Sequence, residues 1–214
     1  MTIRLGILIS GRGSNMMTIV EAIRRGEIDA EVALVFSNRP KAPGLAWARE
    51  QGLPTESFHH GKFESREAFD EAVVACLRAA EVEWIALAGF MRILSGRFLQ
   101  AFPGRILNIH PALLPSFPGV DTHERALEAG VKLHGCTVHV VSEVLDGGPI
   151  VAQAAVPVLD DDTPDTLAAR VLVQEHVIYP RALALAAAGR LEVEGARVRV
   201  RDADGDEPGM LIWP

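Results

Sequence analysis

Short apolar runs alternate with amphipathic stretches from residue 3 to about residue 130. The apolar runs have the length of buried strands, and the amphipathic stretches carry apolar residues at helical spacing, as Phe69, Val73 and Leu77 do. Buried strands are predicted at residues 3–10, 31–37, 84–88 and 105–110, and helices at 16–25, 43–51, 66–80, 97–102 and 122–129. Because strands that alternate with helices form parallel sheets, the pattern predicts an α/β fold with a mostly parallel twisted sheet and helices on both faces.

The pattern changes after His134. Strands are predicted at residues 135–141 and 150–156, a long helix at 165–188 and a small hairpin around Glu194-Gly195. The two strands are joined by a turn through Asp146-Gly147-Gly148 and are expected to be neighbours. Pro180 lacks a backbone N–H and is expected to bend or break the long helix. The C-terminal part of the sheet is therefore predicted to be mixed.

Length and charge narrow the class of protein. The chain has 214 residues without an internal repeat or linker, so one domain over 1–214 is predicted. Lys and Arg total 21 against 28 Asp and Glu, and the formal net charge of -7 disfavours nucleic acid or a membrane surface as the partner. No apolar run approaches the ~20 residues of a membrane span, and the N-terminus has no leader pattern, so a cytoplasmic location is expected. Cys76 and Cys136 show no pairing pattern, which indicates a reducing compartment.

A glycine-rich turn follows the first predicted strand. Gly11-Arg12-Gly13-Ser14-Asn15 brings backbone N–H groups and a helix N-terminus to the end of that strand, an arrangement suited to phosphate. A dinucleotide is disfavoured because Met16 stands at the third glycine of the G-x-G-x-x-G pattern and the second strand ends in Ser37-Asn38, without an acidic ribose ligand. A single phosphate fits better. The alternative is a turn in which Ser or Asn serves only as a helix cap.

The segment that ends the strand at 105–110 points to acyl-type chemistry. Side chains two apart on a strand project from the same face, so Asn108 and His110 are expected to aim together. Pro111 and Pro115 should leave them at the carboxyl end of the strand, where open α/β sheets bind ligands. An amide N–H and a protonated imidazole can both donate to an oxygen that becomes negative in a tetrahedral intermediate. The alternative is a hydrogen-bonded core histidine.

Asp146 lies in a glycine loop, where its carboxylate is expected to accept a proton through water or to pair with His110. Taken alone, an Asp-Gly pair is common turn chemistry. Thr137 and His139 share one face of the preceding strand and are expected to support the same pocket. A zinc site of His110, His139 and Asp146 is disfavoured because no helical metal motif is present. Three further histidines are predicted to be solvated loop or helix-end residues: His59, His60 and His123.

Several separated motifs occur in the order and spacing of one enzyme family. They are Ser10-Gly11-Arg12-Gly13-Ser14-Asn15, residues 88–95, residues 107–115, Phe117-Pro118-Gly119, Asp121-Thr122-His123, residues 134–139, residues 145–149, Gln174-Glu175-His176 and Tyr179-Pro180. Over nearly its full length the chain resembles the phosphoribosylglycinamide formyltransferases. The resemblance implies a single-domain Rossmann-like formyltransferase fold, with a phosphate-binding half over about 1–100 and a catalytic and folate-binding half over about 101–214.

The activity implied by this resemblance is formyl transfer in de novo purine biosynthesis. The donor would be 10-formyltetrahydrofolate, and the acceptor would be the glycinamide amine of N1-(5-phosphoribosyl)glycinamide. No metal is implied. The partners would be small molecules, without nucleic acid or membrane, and the enzyme would be a monomer or weak homodimer.

The resemblance also implies a role for each site residue. Asn108 and the imidazolium of His110 would stabilise the oxyanion, and Asp146 would favour that charge and help to remove the amine proton through ordered water. The ribotide would be held by Gly13, Ser14 and Asn15 at its phosphate and by Glu175 at its glycinamide end. The folate pocket would be lined by Arg92, Ile93, Leu94, Leu99, Ser142, Glu143, Val144 and Leu145.

Two positions depart from the family pattern. Ala112 stands where many relatives carry Ser, so a hydroxyl is not chemically required there. Leu172 stands where relatives can carry a Lys or Gln that reaches the phosphate. Binding of the phosphate is therefore expected to depend on the glycine turn.

Three other functions compete with this assignment. A formyltetrahydrofolate hydrolase would use a similar triad with water as the acceptor, but it needs no phosphate cradle and carries an additional N-terminal domain. A methionyl-tRNA formyltransferase needs a basic C-terminal domain, whereas the tail here is acidic. The acidic residues of the tail are Asp202, Asp204, Asp206 and Glu207. A non-catalytic nucleotide-binding module would keep the glycine turn without needing Asn108, His110 and Asp146 together.

Overall fold

A computed structural model describes residues 2–201 and 211–212 of the chain. Its contacts form two compact units, Met1–Asn108 and Ile109–Pro214. A single domain over 1–214, with halves of about 1–100 and 101–214, stays a prediction. The acidic tail residues between 202 and 207 lie outside the described residues.

The first unit is built on parallel strands in the order β3-β2-β1-β4-β5. The strands are β1 (Ile3–Ile9), β2 (Ala30–Ser37), β3 (Thr55–Ser57), β4 (Trp84–Leu87) and β5 (Ile106–His110), whose last two residues belong to the second unit. β1 lies between β2 and β4, and its apolar side chains Leu5, Ile7 and Ile9 are fully buried. Side chains on both faces of β1 are buried because helices cover parallel sheets on both sides.

Helices connect these strands, as the alternating pattern predicts. They are α1 (Ser14–Arg24), α2 (Pro43–Glu50), a short 3₁₀ helix (His60–Lys62), α3 (Arg66–Ala79) and α4 (Gly96–Ala101). Serine hydroxyls begin two of them, because Ser65 accepts the backbone N–H of Ala68 and Ser95 accepts that of Phe98.

The second unit contains the mixed strands. Its elements are α5 (Thr122–Glu128), β6 (Leu133–Val140), β7 (Ile150–Pro157), α6 (Pro164–Ala187), β8 (Leu191–Glu194), β9 (Arg197–Val200) and β10 (Leu211–Ile212). β6 and β7 are antiparallel, β8 and β9 form the predicted hairpin, and β9 and β10 each pair in parallel with β7. Two glycines permit close backbone approach, since a Cβ at Gly135 would lie 1.9 Å from the Ala154 carbonyl oxygen and one at Gly148 would lie 1.8 Å from that of Val140.

α6 is the longest helix, and its N-terminus is well satisfied. Thr163 and Thr166 form a capping box, and Pro164 occupies the first helical position. The helix runs without interruption through Pro180, so of the predicted bend or break at that residue the break is wrong, whereas the bend stays a prediction. Tyr179 and Pro180 are buried, and most helical stability in proteins comes from packing of this kind, which outweighs one lost hydrogen bond.

The α/β fold with a mostly parallel sheet and a mixed C-terminal part is confirmed. The predicted strands and helices agree with the structure to within a residue or two at most ends. The pattern missed β3, the 3₁₀ helix and β10, which are all three residues or shorter. Within residues 2–201 and 211–212, no helix has the length and apolar character needed to cross a membrane.

Candidate active site

The glycine turn joins β1 to α1. Gly13 has φ 74 and is the residue that caps α1, without any side-chain capping bond, so the alternative in which Ser14 or Asn15 serves as the cap is wrong. The turn also contacts α2, because the Gly44 N–H donates to the Gly11 carbonyl at 3.1 Å. A Cβ at Gly44 would lie 2.9 Å from the Arg12 carbonyl oxygen. The turn is therefore a close-packed strand-to-helix corner at the N-terminus of α1.

Ser10, at the end of β1, connects this turn to a second segment of the first unit, residues 89–95. Its hydroxyl donates to Asn38 Oδ1 at 2.6 Å and accepts the backbone N–H of Met91 at 2.8 Å. The Ser10 N–H donates to the Gly89 carbonyl at 3.1 Å. Ser10 belongs to the motif that begins the glycine turn, and its side chain was not predicted to have a role.

The segment at 89–95 carries three of the residues predicted to contact folate. Arg92 is half-buried and places its guanidinium carbon 4.7 Å from the centroid of the Phe69 ring. Ile93 is exposed, and Leu94 is buried. Leu99 lies farther along, half-buried in α4. The segment therefore presents an exposed apolar surface beside one guanidinium, which suits an aromatic, partly polar ligand.

Asn108 and His110 lie two residues apart on β5, so their side chains project from the same side of the strand. His110 is only 5% exposed, and Asn108 is half-buried. The predicted end of the strand at His110 is confirmed.

His110 faces an oxygen acceptor at each ring nitrogen. Nε2 lies 2.9 Å from the carbonyl oxygen of Phe117, and Nδ1 lies 3.5 Å from Oδ2 of Asp146. Because a carbonyl oxygen only accepts, Nε2 carries a hydrogen in this arrangement. Both ring nitrogens of His110 therefore face acceptors, and the predicted pairing of Asp146 with His110 is present at this longer distance.

Asp146 is held in a strained turn. Its φ is 50, and Oδ2 accepts the backbone N–H of Gly119 at 2.8 Å. On the other side, Oδ1 lies 3.8 Å from Nε2 of His139. Asp146 is thus a turn residue, as its sequence setting predicts, and it also lies next to two histidines.

His139 and Thr137 occupy the same face of β6, as predicted. Burial lowers the pKa of His139, against the opposing effects of the Val140 carbonyl and the Asp146 charge. Thr137 donates to the Ala112 carbonyl at 2.6 Å and accepts the Leu114 N–H at 3.0 Å. Gln153, which sequence analysis did not single out, donates to Leu114 O at 2.9 Å and to the Thr137 hydroxyl at 3.0 Å. Thr137 and Gln153 therefore anchor the chain that follows His110.

The loop before Asp146 is largely exposed. Val144 is 67% exposed, and Glu143 and Leu145 are also exposed, whereas Ser142 is half-buried. The Ser142 hydroxyl donates to the Val144 carbonyl at 3.2 Å, which closes the turn. Two apolar side chains that face solvent mark a surface available to an apolar ligand.

His123 lies at the start of α5, as predicted, but it is half-buried and not fully solvated. Its Nδ1 lies 3.2 Å from Nε2 of His134, and burial followed by the charge of His123 lowers the pKa of His134 to about 4. The ring of Phe117 packs edge-on against His134. His59 is exposed as predicted, whereas His60 is half-buried and packs edge-on against Phe69.

Glu175 lies on the buried side of α6, and Leu172, one turn earlier, is half-buried. The Glu175 charge adds to burial in raising the pKa of the Cys136 thiol, so the carboxylate lies near β6. Both cysteines are free thiols. In the part of the chain that the structure describes, no group of three or more His, Cys, Asp or Glu side chains is arranged to hold a metal ion.

Comparisons with known proteins identify the family. A model of the formyl transferase family matches residues 3–183. Phosphoribosylglycinamide formyltransferase of Escherichia coli (strain K12) is 46% identical over 187 residues, which make up 87% of this chain and 88% of that enzyme. The trifunctional purine biosynthetic protein adenosine-3 of Homo sapiens is 45% identical over 190 residues, and the match covers 89% of this chain but only 19% of that protein.

A solved structure gives the same answer. The crystal structure of glycinamide ribonucleotide transformylase 1 from Symbiobacterium toebii is 50% identical in sequence and superimposes with a TM-score of 0.92 over 94% of this chain and 95% of that chain. The chain therefore belongs to the formyl transferase family, among the phosphoribosylglycinamide formyltransferases.

Proposed function

We propose that this chain transfers the formyl group of 10-formyltetrahydrofolate to the glycinamide amine of N1-(5-phosphoribosyl)glycinamide, in de novo purine biosynthesis. The observation that carries the proposal is the 3.5 Å approach of His110 Nδ1 to Asp146, on the strand that also carries Asn108. The identity to the E. coli enzyme over most of both chains supports the choice of substrates. A cytoplasmic location and a monomeric or weakly dimeric state stay predictions.

The reaction exchanges one carbon–nitrogen bond for another. The amine nitrogen of the ribotide bonds to the formyl carbon, and the bond from that carbon to N10 of the folate breaks. The amine loses one proton and N10 gains one. Between these events the formyl oxygen carries negative charge, so donors placed for that charge lower the barrier.

We assign the stabilisation of this oxyanion to Asn108 and His110. The Phe117 carbonyl already occupies Nε2 of His110, which leaves the Nδ1 hydrogen as the donor for the reacting oxygen. At 3.5 Å, Asp146 is too distant to hold that hydrogen in a strong hydrogen bond, yet close enough for its charge to favour imidazolium. The Asn108 amide supplies the second donor from the same side of β5.

Removal of the proton from the attacking amine is assigned to Asp146, which would accept it through ordered water. A carboxylate held by the Gly119 N–H keeps its orientation while a proton passes. Thr137 acts indirectly, because it fixes the segment between His110 and Phe117 through the Ala112 and Leu114 backbone groups. His139 supports the far oxygen of Asp146.

The ribotide phosphate is assigned to the turn at Gly13, Ser14 and Asn15. The backbone N–H groups at the N-terminus of α1 and the dipole of this eleven-residue helix favour an anion at this position. Gly13 adopts the left-handed backbone conformation at this turn, and a Cβ there would lie 3.0 Å from the Met16 side chain. Glu175 is assigned to the glycinamide end of the ribotide on the family pattern.

The formyl donor is assigned to the segments around residues 92–99 and 142–145. Arg92, Ile93, Leu94 and Leu99 combine apolar surface with one cation, and the exposed Val144 and Leu145 add further apolar surface. A pterin suits residues of this character because its ring is flat and only its edges hydrogen-bond. The chemistry needs no metal ion.

The test is an isotope-labelled formyl transfer assay. Purified chain is incubated with formyl-labelled 10-formyltetrahydrofolate and, in parallel, with N1-(5-phosphoribosyl)glycinamide, water alone, or methionyl-tRNA. Label is expected in the formylated ribotide. Label released as formate without ribotide would make the chain a hydrolase, label on methionyl-tRNA would make it a tRNA formyltransferase, and no turnover would leave only a binding protein.

A further inference from the structure

A buried carboxylate outside the proposed triad lies beneath the segment assigned to folate. Asp70, on α3, is 1% exposed. Oδ2 accepts the backbone N–H of Ser95 at 2.7 Å, whereas Oδ1 has no hydrogen-bond partner among residues 2–201 and 211–212. A buried charge that is only partly satisfied costs free energy, so stability alone does not explain an Asp at this position.

Two cations act on Asp70. Burial raises the pKa of Asp70, and the Ser95 hydrogen bond and the charges of Arg92 and Arg66 oppose that rise. Arg92 lies over the ring of Phe69, the residue next to Asp70 in α3. The Nε of Arg92 is buried and has no hydrogen-bond partner in the described part of the chain. Arg92 is therefore held by a ring face and by charge, without a fixed hydrogen bond at that nitrogen.

Asp70 also holds one end of the segment to which Arg92 belongs. The Met91 N–H is fixed by the Ser10 hydroxyl at the start, and the Ser95 N–H is fixed by Asp70 at the end. Between these anchors, Met91 and Ile93 are exposed apolar residues. The carboxylate thus controls both the path of residues 91–95 and the electrostatic environment of their only cation.

We propose that Asp70 is a positioning residue for the formyl donor: it fixes Arg92 and the backbone of residues 91–95 in the arrangement that binds folate. This inference rests on the proposed function. Asp70 acts through Arg92 and Ser95 and does not touch the reacting atoms. Its effect therefore falls on folate affinity and leaves the chemical step and the ribotide unchanged.

The decisive variant is Asp70→Asn, which keeps an oxygen to accept the Ser95 N–H and removes the charge that faces Arg92. We expect the KM for 10-formyltetrahydrofolate to rise about fivefold to tenfold. The kcat and the ribotide KM should stay within about twofold of wild type. Glu71→Gln is the matched control, since Glu71 is the next residue of α3 and its carboxylate pairs at the surface with Arg97 of α4.

A double-mutant cycle with Arg92→Met tests the route of the effect. If Asp70 acts through Arg92, Asp70→Asn raises the folate KM in the wild-type background and adds little in Arg92→Met. An unchanged folate KM in folded Asp70→Asn, a fall in kcat that equals the change in kcat/KM, or full additivity with Arg92→Met overturns the proposal. Should Asp70→Asn not accumulate as folded protein, Asp70→Ser, which is smaller and also neutral, is measured in its place.

Binding of tetrahydrofolate by calorimetry, without ribotide, separates the two proposals. A wild-type chain that binds folate but transfers no formyl group to the ribotide refutes the proposed function alone. Weaker folate binding in Asp70→Asn, with Glu71→Gln unchanged, supports the role of Asp70 in either case. Equal binding by wild type and Asp70→Asn refutes that role even if formyl transfer is normal.

Discussion

Asn108 and His110 divide one task between an amide and an imidazole. Both are assigned to charge that exists only during the reaction, so their removal should affect turnover more than binding. Asn108→Ala and His110→Ala are each expected to lower kcat by ~10²-fold or more, with small changes in either KM. The double variant should lose less than the product of the two, because the residues act on one oxygen. Steady-state kinetics decide this, and a near-normal kcat in either single variant would reject the oxyanion assignment of the residue that was replaced.

Asp146 contributes charge and geometry, which one substitution can separate. Asp146→Asn keeps an oxygen for the Gly119 N–H and so keeps the turn, but removes the charge beside His110. We expect kcat to fall roughly 10²-fold while the urea midpoint stays near that of wild type. A variant that is much less stable yet fully active in its folded fraction would show that Asp146 serves the turn and not the reaction.

The site residues differ in how far sequence could predict them. Asn108, His110 and Asp146 lie in motifs with the residue types that acyl chemistry needs, and the structure brings His110 and Asp146 together. Ser10 and Asp70 act through backbone N–H groups 81 and 25 residues away, and no local pattern encodes such contacts. Phe117 contributes a carbonyl oxygen, which every residue possesses, so its side chain gave no signal.

At the scale of elements, the N-terminus of α1 is the feature with a direct test. Gly13 and Gly26 lie at opposite ends of that helix, and both have φ 74. Alanine at either position should cost about 1 kcal/mol through the left-handed backbone. Only Gly13→Ala should raise the ribotide KM, because its Cβ would lie 3.0 Å from the Met16 side chain and so displace the anion-binding turn. Folate binding should persist in both variants.

Calorimetric titration of each ligand into the two variants measures this difference. Gly26→Ala is the control for strain, since a Cβ there meets nothing within 4 Å. Equal ribotide affinity in the two variants would mean that the phosphate binds elsewhere.

The N-terminus of α6 provides a test of stability. Asp162, whose side chain is 2% exposed, accepts hydrogen bonds from Arg170 at 2.6 and 2.8 Å, from the Leu159 N–H and from Thr166. The Arg170 hydrogen bonds hold the pKa of Asp162 well below its usual range, although burial opposes them. A lowered pKa in the folded state stabilises the fold above the unfolded-state pKa of about 4, and this contribution is lost as pH falls.

Asp162→Asn is therefore expected to lower the free energy of unfolding by about 2 kcal/mol at pH 7. The gap between variant and wild type should narrow below about pH 4, where the Asp162 carboxylate of the unfolded chain begins to protonate while that of the folded chain stays charged. Urea titrations at a series of pH values measure both effects. Asp160→Asn is the control, because Asp160 is exposed and pairs with exposed Lys132, and it should change little. A gap that does not depend on pH would exclude the charge of Asp162 as the cause.

Helices and strands were predictable from the sequence where the apolar pattern extends over many residues. Elements of three residues or fewer were not. β3 has three residues and no fully buried side chain, so it leaves no apolar run to detect. The predicted break at Pro180 was wrong because a local rule about proline ignores the burial of the α6 face around it. Tertiary packing decided both cases.

At the scale of the whole molecule, the question is whether the two compact units unfold together or separately. The boundary between the two compact units falls between Asn108 and Ile109, inside β5 and not in a linker. Because domain boundaries usually lie in exposed linkers, we expect the chain to unfold in one transition. Scanning calorimetry should give equal calorimetric and van't Hoff enthalpies, and two resolved transitions would show that the units are separate domains.

Ser10 has a consequence for the enzyme as a two-substrate catalyst. One hydroxyl donates to the end of β2 and accepts from Met91, and it directly precedes the turn assigned to phosphate. Both hydrogen bonds use the same hydroxyl, so they require the same rotamer of the Ser10 side chain. We therefore expect that ordering the phosphate turn also orders part of the folate segment, and the reverse. The substrate that binds first would lower the conformational entropy that the second must lose, so the second should bind more tightly.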